Sequence, residues 1–564
     1  MYFYKEDKQC IYISNYKEIG IIEKRECNFD KIKKSTKWVD ENLFEIKENK
    51  TAIFKVVDCD YSLDELLRKA ALIKSDYYVF DFFDICILIL SSNIDKINYI
   101  IEWYKKSQTA YLPKNFNLIK GKIIYQDRKL SSIVRKMKNK VSEDTIIYFD
   151  KFENTIVKNY INACNISRDF TNEKLALIHM EVQEEKRCSQ EKYSIENLFV
   201  GRFSPIVTMN KKRNCDNNII KIYESISNGG NGIYFDYQSG KGITDKKAYG
   251  SVVGESMERF YAMKFKDDKR IYLSYIELKQ MYPNIDIIVE KNNCEGEREV
   301  REWLFATNLK NNNLCLVEAA RIFFPSEILT SSTTGLGAGT TIEQALESAL
   351  LEIIERDAYA ITFRANKKTM NIPWKKISRK NKILINKLEK SNLKCHLVLL
   401  QSDIHVFIVH CTLENVKKSY PIYSHGSCAN FKLNDAIEGA ISECLQLRDS
   451  QIELKKIDKL SLSENKAYAE WGRGNKEYFN IFLVDNCVLK YPEMIKFSSN
   501  ISELIDEIND DIVCVRLTPA HSKIEVVKVI IPTFQDIDNN MKNISERLKN
   551  ELGEQMMNRR MLFT

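Results

Sequence analysis

The sequence predicts an α/β (α+β) fold of mixed sheets and helices, with a smaller domain followed by a larger one. Strand-like apolar segments alternate with segments whose apolar residues recur at helical spacing. The composition changes near residue 190, where a Lys-, Ile- and Tyr-rich region with few glycines gives way to repeated glycine-containing turns. We therefore predict domains at residues 1–190 and 191–564. In the second domain, one acidic spacing occurs on three predicted helices.

The composition is that of a globular protein and gives no reason to expect a nucleic-acid partner. Hydrophobic residues make up 44% and charged residues 29% of the 564 positions. The net charge of +7 is a small difference between 85 basic and 78 acidic side chains. The 15 cysteines are odd in number and scattered without a CxxC pair, which argues against a disulfide framework and a zinc tetrad. Reduced cytosolic thiols are the simplest interpretation.

The compartment predicted from the sequence is the cytoplasm. The first residues, MYFYKEDKQC, lack the charged and then apolar pattern of a signal peptide. Residues 77–92 are the most apolar stretch, but Asp81 and Asp84 interrupt it and it is too short to span a bilayer. We therefore expect no membrane association.

The first domain is predicted to contain a βαβ unit. Residues 62–73 have a helical pattern with Ser62 as N-cap, and residues 77–90 form a buried strand region. Residues 93–105 are the next predicted helix, and residues 120–125 are a short strand. A helical connector over residues 172–187 then leads to the second domain.

The second domain is predicted to alternate strands, small-residue loops and helices. We expect strands at 198–209, 314–323, 395–400, 406–412, 512–517 and 524–531, of which the third and fourth form a pair. Small-residue loops are expected at 239–242, 334–341 and 424–430. Each loop leads into a helix, which for the third loop spans 433–450 with Asn434 as a candidate cap. The end of the chain, 546–564, is predicted to be helical.

Three predicted helices carry two oxygen-bearing side chains at i and i+3, with an arginine close behind. Side chains at this spacing project from neighbouring positions of a helix. The three sets are Glu255/Glu258/Arg259, Glu352/Glu355/Arg356 and Glu443/Gln446/Arg448. One such pair is usually a solvated helix face, but three in regular order are much harder to explain in that way.

Six converging oxygen donors predict a site for Mg2+, which prefers hard oxygen ligands and shares them with phosphates. The backbone N–H groups of the loops at 239–242 and 334–340, together with the Lys241 ammonium, can contact those phosphates. A Walker A motif and the HRD and DFG motifs of protein kinases are absent from the sequence.

Other catalytic chemistry is only weakly indicated. His405 and His410 lie in or beside a strand pattern and are interpreted as structural, whereas His425, in the 424–430 segment, is the one histidine considered near a site. Cys428 in the same segment has no evident base, so an incidental cysteine is favoured over a nucleophile. The sequence contains no GxSxG, HExxH or GxGxxG motif.

Four motifs in order resemble the YcaO superfamily, over roughly residues 195–535. They are a glycine/lysine loop followed by GExxER (239–242 and 254–259), a TGLAAG-like loop running into LLExxERDA (334–339 and 350–358), an ExxQxR helix (443–448) and a closing VVKVIxP strand (526–532). The family is known for an ATP-dependent attack on peptide backbone amides.

The resemblance implies site residues, although it leaves the catalytic base unknown. The Mg2+ ligands would be Glu255, Glu258, Glu352 and Glu355. The residues around ATP would be Ser239, Lys241, Arg259, Gln344, Arg356, Glu443 and Gln446. In cyclodehydratase members, a Cys, Ser or Thr side chain of a precursor peptide adds to the preceding carbonyl, the oxyanion is phosphorylated, and loss of phosphate gives a thiazoline or oxazoline.

Two departures from the family pattern bear on this expectation. Many members have Glu where this chain has Gln344, so the number or affinity of metal ions can differ. Azoline-forming members commonly end in a Pro-x-Pro tail, whereas the last proline here is Pro532. That tail is implicated in catalysis in the family, so the second departure bears on the azoline assignment specifically.

Residues 76–125 resemble the degenerate ubiquitin-activating-like segment that accompanies cyclodehydratases, without the zinc-binding CxxC pairs. The first domain is therefore expected to be a docking or scaffold domain. The implied partners are a ribosomal precursor peptide, a ubiquitin-activating-like protein that binds its leader, and a dehydrogenase; a homodimer stays open.

The leading hypothesis is an ATP- and Mg2+-dependent cyclodehydratase in the biosynthesis of ribosomally made modified peptides, such as bacteriocins and thiazole/oxazole-modified microcins. A thioamide-forming member and a non-catalytic ATP-binding scaffold are the alternatives.

Overall fold

The computed structural model describes residues 3–6, 10–15, 18–23, 44–47, 51–55, 75–81, 85–92, 130–143, 145–150, 155–160, 168–178, 199–201, 203–214, 219–227, 236–265, 267–288, 298–325, 332–457, 466–474, 480–486, 489–519, 522–537 and 544–552. The chain divides into two compact units. The first comprises Met1–Ile166, Lys186–Thr208 and Ile226–Asp236, and the second comprises Ser167–Glu185, Met209–Ser225 and Tyr237–Thr564. The predicted boundary near residue 190 lies outside the described residues and stays a prediction.

Two sheets lie in the described part of the first unit. Strands β1 (Phe3–Glu6), β2 (Cys10–Asn15) and β3 (Glu18–Glu23) form an antiparallel sheet. A six-stranded sheet has the order β4 (Phe44–Lys47), β5 (Thr51–Lys55), β6 (Tyr77–Asp81), β7 (Ile85–Leu90), β8 (Thr145–Asp150) and β9 (Thr155–Tyr160). Helix α1 (Leu130–Lys138) packs on it through Val134 and Met137.

The predicted strand region at 77–90 is two antiparallel strands, β6 and β7, paired from Tyr77 with Leu90 to Asp81 with Cys86. The βαβ unit stays a prediction. The helices predicted at 62–73 and 93–105, and the strand predicted at 120–125, lie outside the described residues.

Three further sheets follow along the chain. The first is three-stranded, with the order β10 (Ile206–Lys212), β11 (Lys221–Ser227) and β12 (Asp236–Gly242). The second is seven-stranded and is formed by β13 (Ile271–Ser274), β14 (Asp286–Ile288), β15 (Val300–Asn308), β16 (Asn313–Glu318), β17 (Leu336–Gly339), β22 (Val513–Arg516) and β23 (Glu525–Ile530). The third is an antiparallel sheet of β18 (Met370–Asn371), β19 (Leu393–Leu399), β20 (Phe407–Asn415) and β21 (Tyr423–Asn430).

The seven-stranded sheet has the order β14-β16-β15-β22-β23-β17, and β13 pairs with β15. The α-helices described after residue 170 are α2 (Glu173–Ala176), α3 (Asp245–Ala262), α4 (Tyr275–Met281), α5 (Ala319–Ile322), α6 (Ile342–Arg364), α7 (Arg379–Lys390), α8 (Leu433–Lys456), α9 (Lys466–Arg473), α10 (Ile501–Glu507) and α11 (Glu546–Leu552). None of the described helices is both long and apolar enough to cross a membrane.

Several predicted elements are confirmed and others need correction. The strands predicted at 395–400 and 406–412 are the antiparallel pair β19 and β20, and the closing strands are the antiparallel pair β22 and β23. The strand predicted at 198–209 begins only at Ile206. The predicted strand at 314–323 ends at Glu318, where α5 begins. Asn434 does not cap α8, because it lies inside the helix and its Oδ1 accepts the Ser378 N–H. Of the predicted connector, only 172–178 is described, and it contains the four-residue helix α2.

The three segments predicted as small-residue loops belong to strands, which is the main error of the sequence-based interpretation. Residues 239–242 lie in β12, residues 336–339 form β17, and residues 424–430 lie in β21. Each strand is followed, after two residues, by one of the helices α3, α6 and α8. The chain thus contains three strand–helix units of the same form: β12–α3, β17–α6 and β21–α8.

Glycines allow each of these strands to lie directly against its helix. A Cβ added to Gly240 would lie 2.1 Å from the backbone N of Val252 in α3. One added to Gly337 would lie 2.1 Å from the carbonyl O of Ala345 in α6, and one added to Gly426 would lie 2.4 Å from the N of Cys444 in α8. The small residues therefore serve close strand–helix packing, and not the turns that they suggested.

Candidate active site

The acidic pairs occupy the same register on the three helices. The N-cap residues are Thr244 for α3, Thr341 for α6 and Lys432 for α8. In each helix the oxygen-bearing side chains stand 11 and 14 positions after the N-cap. The pairs are Glu255/Glu258, Glu352/Glu355 and Glu443/Gln446. Because the strand–helix connections are also of equal length, the three units present these side chains in equivalent places.

Electrostatic interactions between carboxylates show that the three helices converge. Burial raises the pKa of Glu258 well above its ordinary value, and the charges of Glu255 and Glu352 raise it further. Burial raises the pKa of Glu355 to about 8, with a contribution from Glu443 on the third helix and a smaller one from Glu352. Burial likewise raises the pKa of Glu352. Glu255 and Glu258 of α3 therefore interact with Glu352 of α6, and Glu443 of α8 interacts with Glu355 of α6.

Backbone N–H groups of the small-residue segments fix three of these carboxylates. The Ala338 N–H in β17 donates to Glu258. The Ala429 N–H in β21 donates to Glu355 Oε2 at 3.2 Å. The turn before β17 supplies the Gly335 N–H, which donates to Glu352 Oε2 at 2.8 Å.

The three units contact one another in a cyclic order. A backbone N–H of β17, in the second strand–helix unit, donates to Glu258, at position 14 of α3. A backbone N–H of β21, in the third strand–helix unit, donates to Glu355, at position 14 of α6. Position 14 of the third helix is Gln446, whose Nε2 donates to Ser239 O at 2.9 Å and to Ser239 Oγ at 2.8 Å, in the strand of the first unit. An amide suits this position because, unlike a carboxylate, it can donate to the carbonyl that it faces.

Cationic side chains neutralise part of this acidic cluster. Arg259 and Arg356 each pair with the carboxylate four residues earlier on their own helix, Glu255 at 2.6 Å and Glu352 at 2.8 Å. The Lys241 Nζ lies 3.4 Å from Glu443 Oε2. Burial alone would lower the pKa of Lys241, but the surrounding carboxylates raise it, so its ammonium stays charged at neutral pH.

The family of the chain follows from this region. Residues 239–535, more than half of the sequence, match the family model described as YcaO cyclodehydratase, ATP- and Mg2+-binding. The chain belongs to the YcaO family. ATP and Mg2+ are accordingly its cofactors, and the matched region contains all three strand–helix units from Ser239 onward.

Solved structures show the same fold over most of this YcaO chain. A structure described as a heterocyclase in complex with substrate and cofactor is similar at a TM-score of 0.62 and 13% identity, covering 86% of this chain and 76% of that one. The heterocyclase TruD is similar at a TM-score of 0.56 and 12% identity, covering 89% of this chain and 77% of that one. An uncharacterised protein of Methanothermobacter thermautotrophicus is 24% identical over 334 residues, 56% of this chain and 85% of its own length.

The donor set at the YcaO site suits Mg2+. The oxygens of its carboxylates are hard ligands. Burial, together with the neighbouring carboxylates, raises the pKa values of Glu258 and Glu355, and a divalent cation would offset this cost of ionisation. Among the described residues, no three His, Cys, Asp or Glu side chains by themselves form a group able to hold a metal ion. Mg2+ usually completes its coordination with water and substrate phosphates, so a protein cage is not required.

Gln344 and Arg448 lie apart from the converging pairs. Gln344 is exposed in the first turn of α6, where its Oε1 accepts the Thr340 N–H at 3.1 Å and the Thr340 hydroxyl at 2.8 Å. Its assignment to the nucleotide stays a prediction. Arg448 is buried and donates to the carbonyl O of Pro421. It stands 16 positions after the N-cap and not 15, as Arg259 and Arg356 do, and one position turns a side chain by about 100° around a helix.

His425 and Cys428 do not have the surroundings of catalytic groups. His425 is buried with its ring stacked on Tyr359, and burial lowers its pKa to about 3. His410 is buried beside it, and its ring is stacked on that of His425. Burial, together with Glu355 and Glu443, raises the pKa of the Cys428 thiol, which stays protonated at neutral pH.

The side chains of Lys528, Thr334 and Asp536 lie beside the acidic cluster, although the sequence analysis gave these side chains no role there. The Thr334 hydroxyl accepts from Arg356 Nη1 at 2.7 Å and donates to Asp536 Oδ1 at 2.5 Å. The Lys528 Nζ donates to the carbonyl O of Thr334 at 2.6 Å. One signal was available: Lys528 is a charged residue in the middle of the apolar strand VVKVI.

Proposed function

We propose that this YcaO-family chain is an ATP- and Mg2+-dependent cyclodehydratase that converts Cys, Ser or Thr residues of a ribosomally made precursor peptide to thiazolines or oxazolines. One observation carries the proposal. Three strand–helix units bring their position-11 and position-14 side chains together, with Lys241, Arg259 and Arg356 beside them. Likeness of fold to heterocyclases over 86–89% of the chain supports it further.

The roles proposed for the residues are those that the resemblance to the family implies, and their charges and partners support them. Glu255, Glu258, Glu352 and Glu355 would hold Mg2+. The nucleotide would lie among Ser239, Lys241, Arg259, Arg356, Glu443 and Gln446, with Gln344 at the start of α6. When bound, Mg2+ would offset the negative charge of the phosphates, and the fixed ammonium and guanidinium groups add positive charge that needs no reorganisation during the reaction.

The proposed reaction removes one molecule of water from the peptide for each ring. The thiol or hydroxyl of a Cys, Ser or Thr adds to the preceding carbonyl carbon, loses its proton and leaves an oxyanion on that carbon. The oxyanion attacks the γ-phosphorus of ATP, and ADP leaves. The C–O bond to the phosphorylated oxygen then breaks, phosphate departs, and the amide nitrogen loses its proton to form the C=N bond. The contribution of the chain is to position the reactants and stabilise the charge.

We further propose that residues 1–190 dock the precursor peptide or a leader-binding partner, and that residues 191–564 carry the catalysis. A ubiquitin-activating-like protein is the expected partner. A dehydrogenase would oxidise the azolines to aromatic rings. These assignments rest on the two-part organisation of the chain and on its likeness of fold to heterocyclases over more than its YcaO region.

Mass spectrometry of the precursor peptide tests the proposal. The protein, its partner, a candidate peptide, ATP and Mg2+ are incubated together, and a double variant, Glu352→Gln with Glu355→Gln, is the inactive control. Loss of one water per modified Cys, Ser or Thr supports azoline formation. A mass change that corresponds to the exchange of oxygen for sulfur would instead indicate thioamide formation. Nucleotide binding with neither modification nor ATP consumption would reduce the chain to an ATP-binding scaffold.

A further inference from the structure

Lys528 is a buried cation in an apolar strand next to the proposed metal ligands. It lies in β23 between Val527 and Val529 and is 4% exposed. Its Nζ donates to two backbone carbonyls of one turn, Ser332 O at 2.8 Å and Thr334 O at 2.6 Å. A lysine is rarely buried in this way unless its ammonium is needed there, because burying the charge is costly.

The same turn presents its donors and acceptors to α6. The Gly335 N–H donates to Glu352 Oε2 at 2.8 Å. The Thr334 hydroxyl accepts from Arg356 Nη1, and Arg356 Nη2 pairs with Glu352 Oε1 at 2.8 Å. Both oxygens of Glu352 are thus oriented by groups that depend on the position of this turn.

The pairing of the strands already attaches the turn to the sheet without Lys528. The Val529 N–H donates to Gly335 O at 2.8 Å, and β17 pairs with β23 from Leu336 opposite Lys528 to Gly339 opposite Glu525. Attachment alone would therefore not need a buried ammonium. What Lys528 adds is a fixed orientation of the peptide planes at residues 332–335, including the Gly335 N–H.

We propose that Lys528 is a positioning residue for Mg2+ binding, acting through the 332–335 turn on the carboxylate of Glu352. The inference rests on the proposed function in one respect, the role of Glu352 as a metal ligand. Burial lowers the pKa of Lys528 to about 8 in spite of the nearby Asp536 and Glu352, which agrees with an ammonium held in place at a cost to stability. Groups that orient metal ligands typically change metal affinity by about 10–100-fold when they are removed.

Binding measurements test this inference without the peptide or any turnover. Calorimetry would follow a non-hydrolysable ATP analogue binding to the full chain at increasing Mg2+, for wild type, Lys528→Met, Lys528→Arg and Lys390→Met. Lys390 is an exposed lysine at the end of α7 and serves as the matched control. We expect the Mg2+ concentration at half-maximal binding of the ATP analogue to be at least about tenfold higher for Lys528→Met than for wild type. Lys528→Arg, which can donate to both carbonyls, should recover most of this loss, and Lys390→Met should match wild type.

Thermal unfolding of each variant accompanies the titrations. A folded Lys528→Met variant with the Mg2+ dependence of wild type would overturn the inference and leave the proposed function intact. Unfolding of both Lys528 variants would also overturn it, because the lysine would then serve the fold. If the wild-type protein itself shows no Mg2+-dependent binding of the ATP analogue, both the proposed function and this inference are overturned.

Discussion

Glu258 and Glu352 belong to different helices, yet their carboxylates repel each other at the centre of the site. Beyond the effect of burial, the charges of Glu255 and Glu352 both raise the pKa of Glu258. The repulsion is tolerated because backbone N–H groups of Ala338 and Gly335 hold the two carboxylates. We expect such an arrangement to favour a bound cation and its stability to depend on that cation.

Removing one negative charge from α6 should abolish ATP turnover without unfolding the protein. We expect Glu352→Gln and Glu355→Gln each to lower phosphate release by about 100-fold or more, because the metal ions lose a charged ligand. Glu343→Gln is the matched control, since Glu343 is exposed in the first turn of the same helix. Melting curves should show all three variants folded. Full activity of both site variants would refute the metal assignment.

The stability of the protein without Mg2+ should fall as the pH rises, through the buried carboxylates. The pKa of Glu355 is raised in the folded state from 4.5 to about 8. Its contribution to stability is therefore fully present below about pH 4.5 and is lost as the pH rises through about 8. A Gln at this position does not ionise. The melting temperature of Glu355→Gln relative to wild type should thus increase between pH 5 and pH 9, by roughly 2 °C or more.

Saturating Mg2+ and ATP analogue should reverse that difference at pH 8, because the bound cation stabilises the ionised wild-type carboxylate and has less affinity for the amide. A difference in melting temperature that stays constant with pH, or that is indifferent to Mg2+, would contradict this explanation of the acidic cluster.

Two glycines of the chain should respond in opposite ways to substitution by alanine. In Gly337→Ala the new Cβ would lie 2.1 Å from the carbonyl O of Ala345, so β17 or α6 must move, and we expect a loss of about 2–3 kcal/mol. Gly250 lies inside α3, and a Cβ added there would meet no atom within 4 Å beyond the backbone of its own helix. Gly250→Ala should be neutral or stabilising by up to about 1 kcal/mol. Equal melting temperatures for the two variants would show that strand–helix contact is not what the small residues provide.

The sequence was sufficient for the long helices α3, α6 and α8 and for their oxygen-bearing pairs, because both depend on local spacing. Side chains at i and i+3 share a helix face wherever the helix lies, so Glu352 and Glu355 could be paired without a structure. The strands β19 and β20 were predicted for the same reason, from apolar runs close together in the chain. Local patterns of this kind predict the structure correctly where the tertiary contacts favour the same conformation.

The strands β12, β17 and β21 could not be recognised, because their composition is determined by the helix packed against each of them. Gly337 and Gly426 lack the branched or aromatic side chains that mark a strand, and the reason is the helix backbone that lies against them. Lys528 and Asp536 were missed because their contacts are distant in sequence. Lys528 and Asp536 follow Thr334 by 194 and 202 residues in the sequence, and they contact it in the fold, where β17 pairs with β23.

Exchanging the amide of Gln446 for a carboxylate should weaken ATP binding while the protein stays folded. Gln446 Nε2 donates to both oxygens of Ser239, and a carboxylate of the same shape cannot donate to the Ser239 carbonyl. Gln446→Glu would also add a negative charge three residues after Glu443 on the same helix. We expect the KM for ATP to rise about tenfold or more, with a smaller change in kcat, because the lost contact orients β12, the strand proposed to bind the nucleotide, before the reaction. Gln280→Glu, at an exposed position of α4, is the control for the added charge. If Gln446→Glu keeps the wild-type KM, the hydrogen bonds from Gln446 of α8 to Ser239 of β12 have no part in holding the nucleotide.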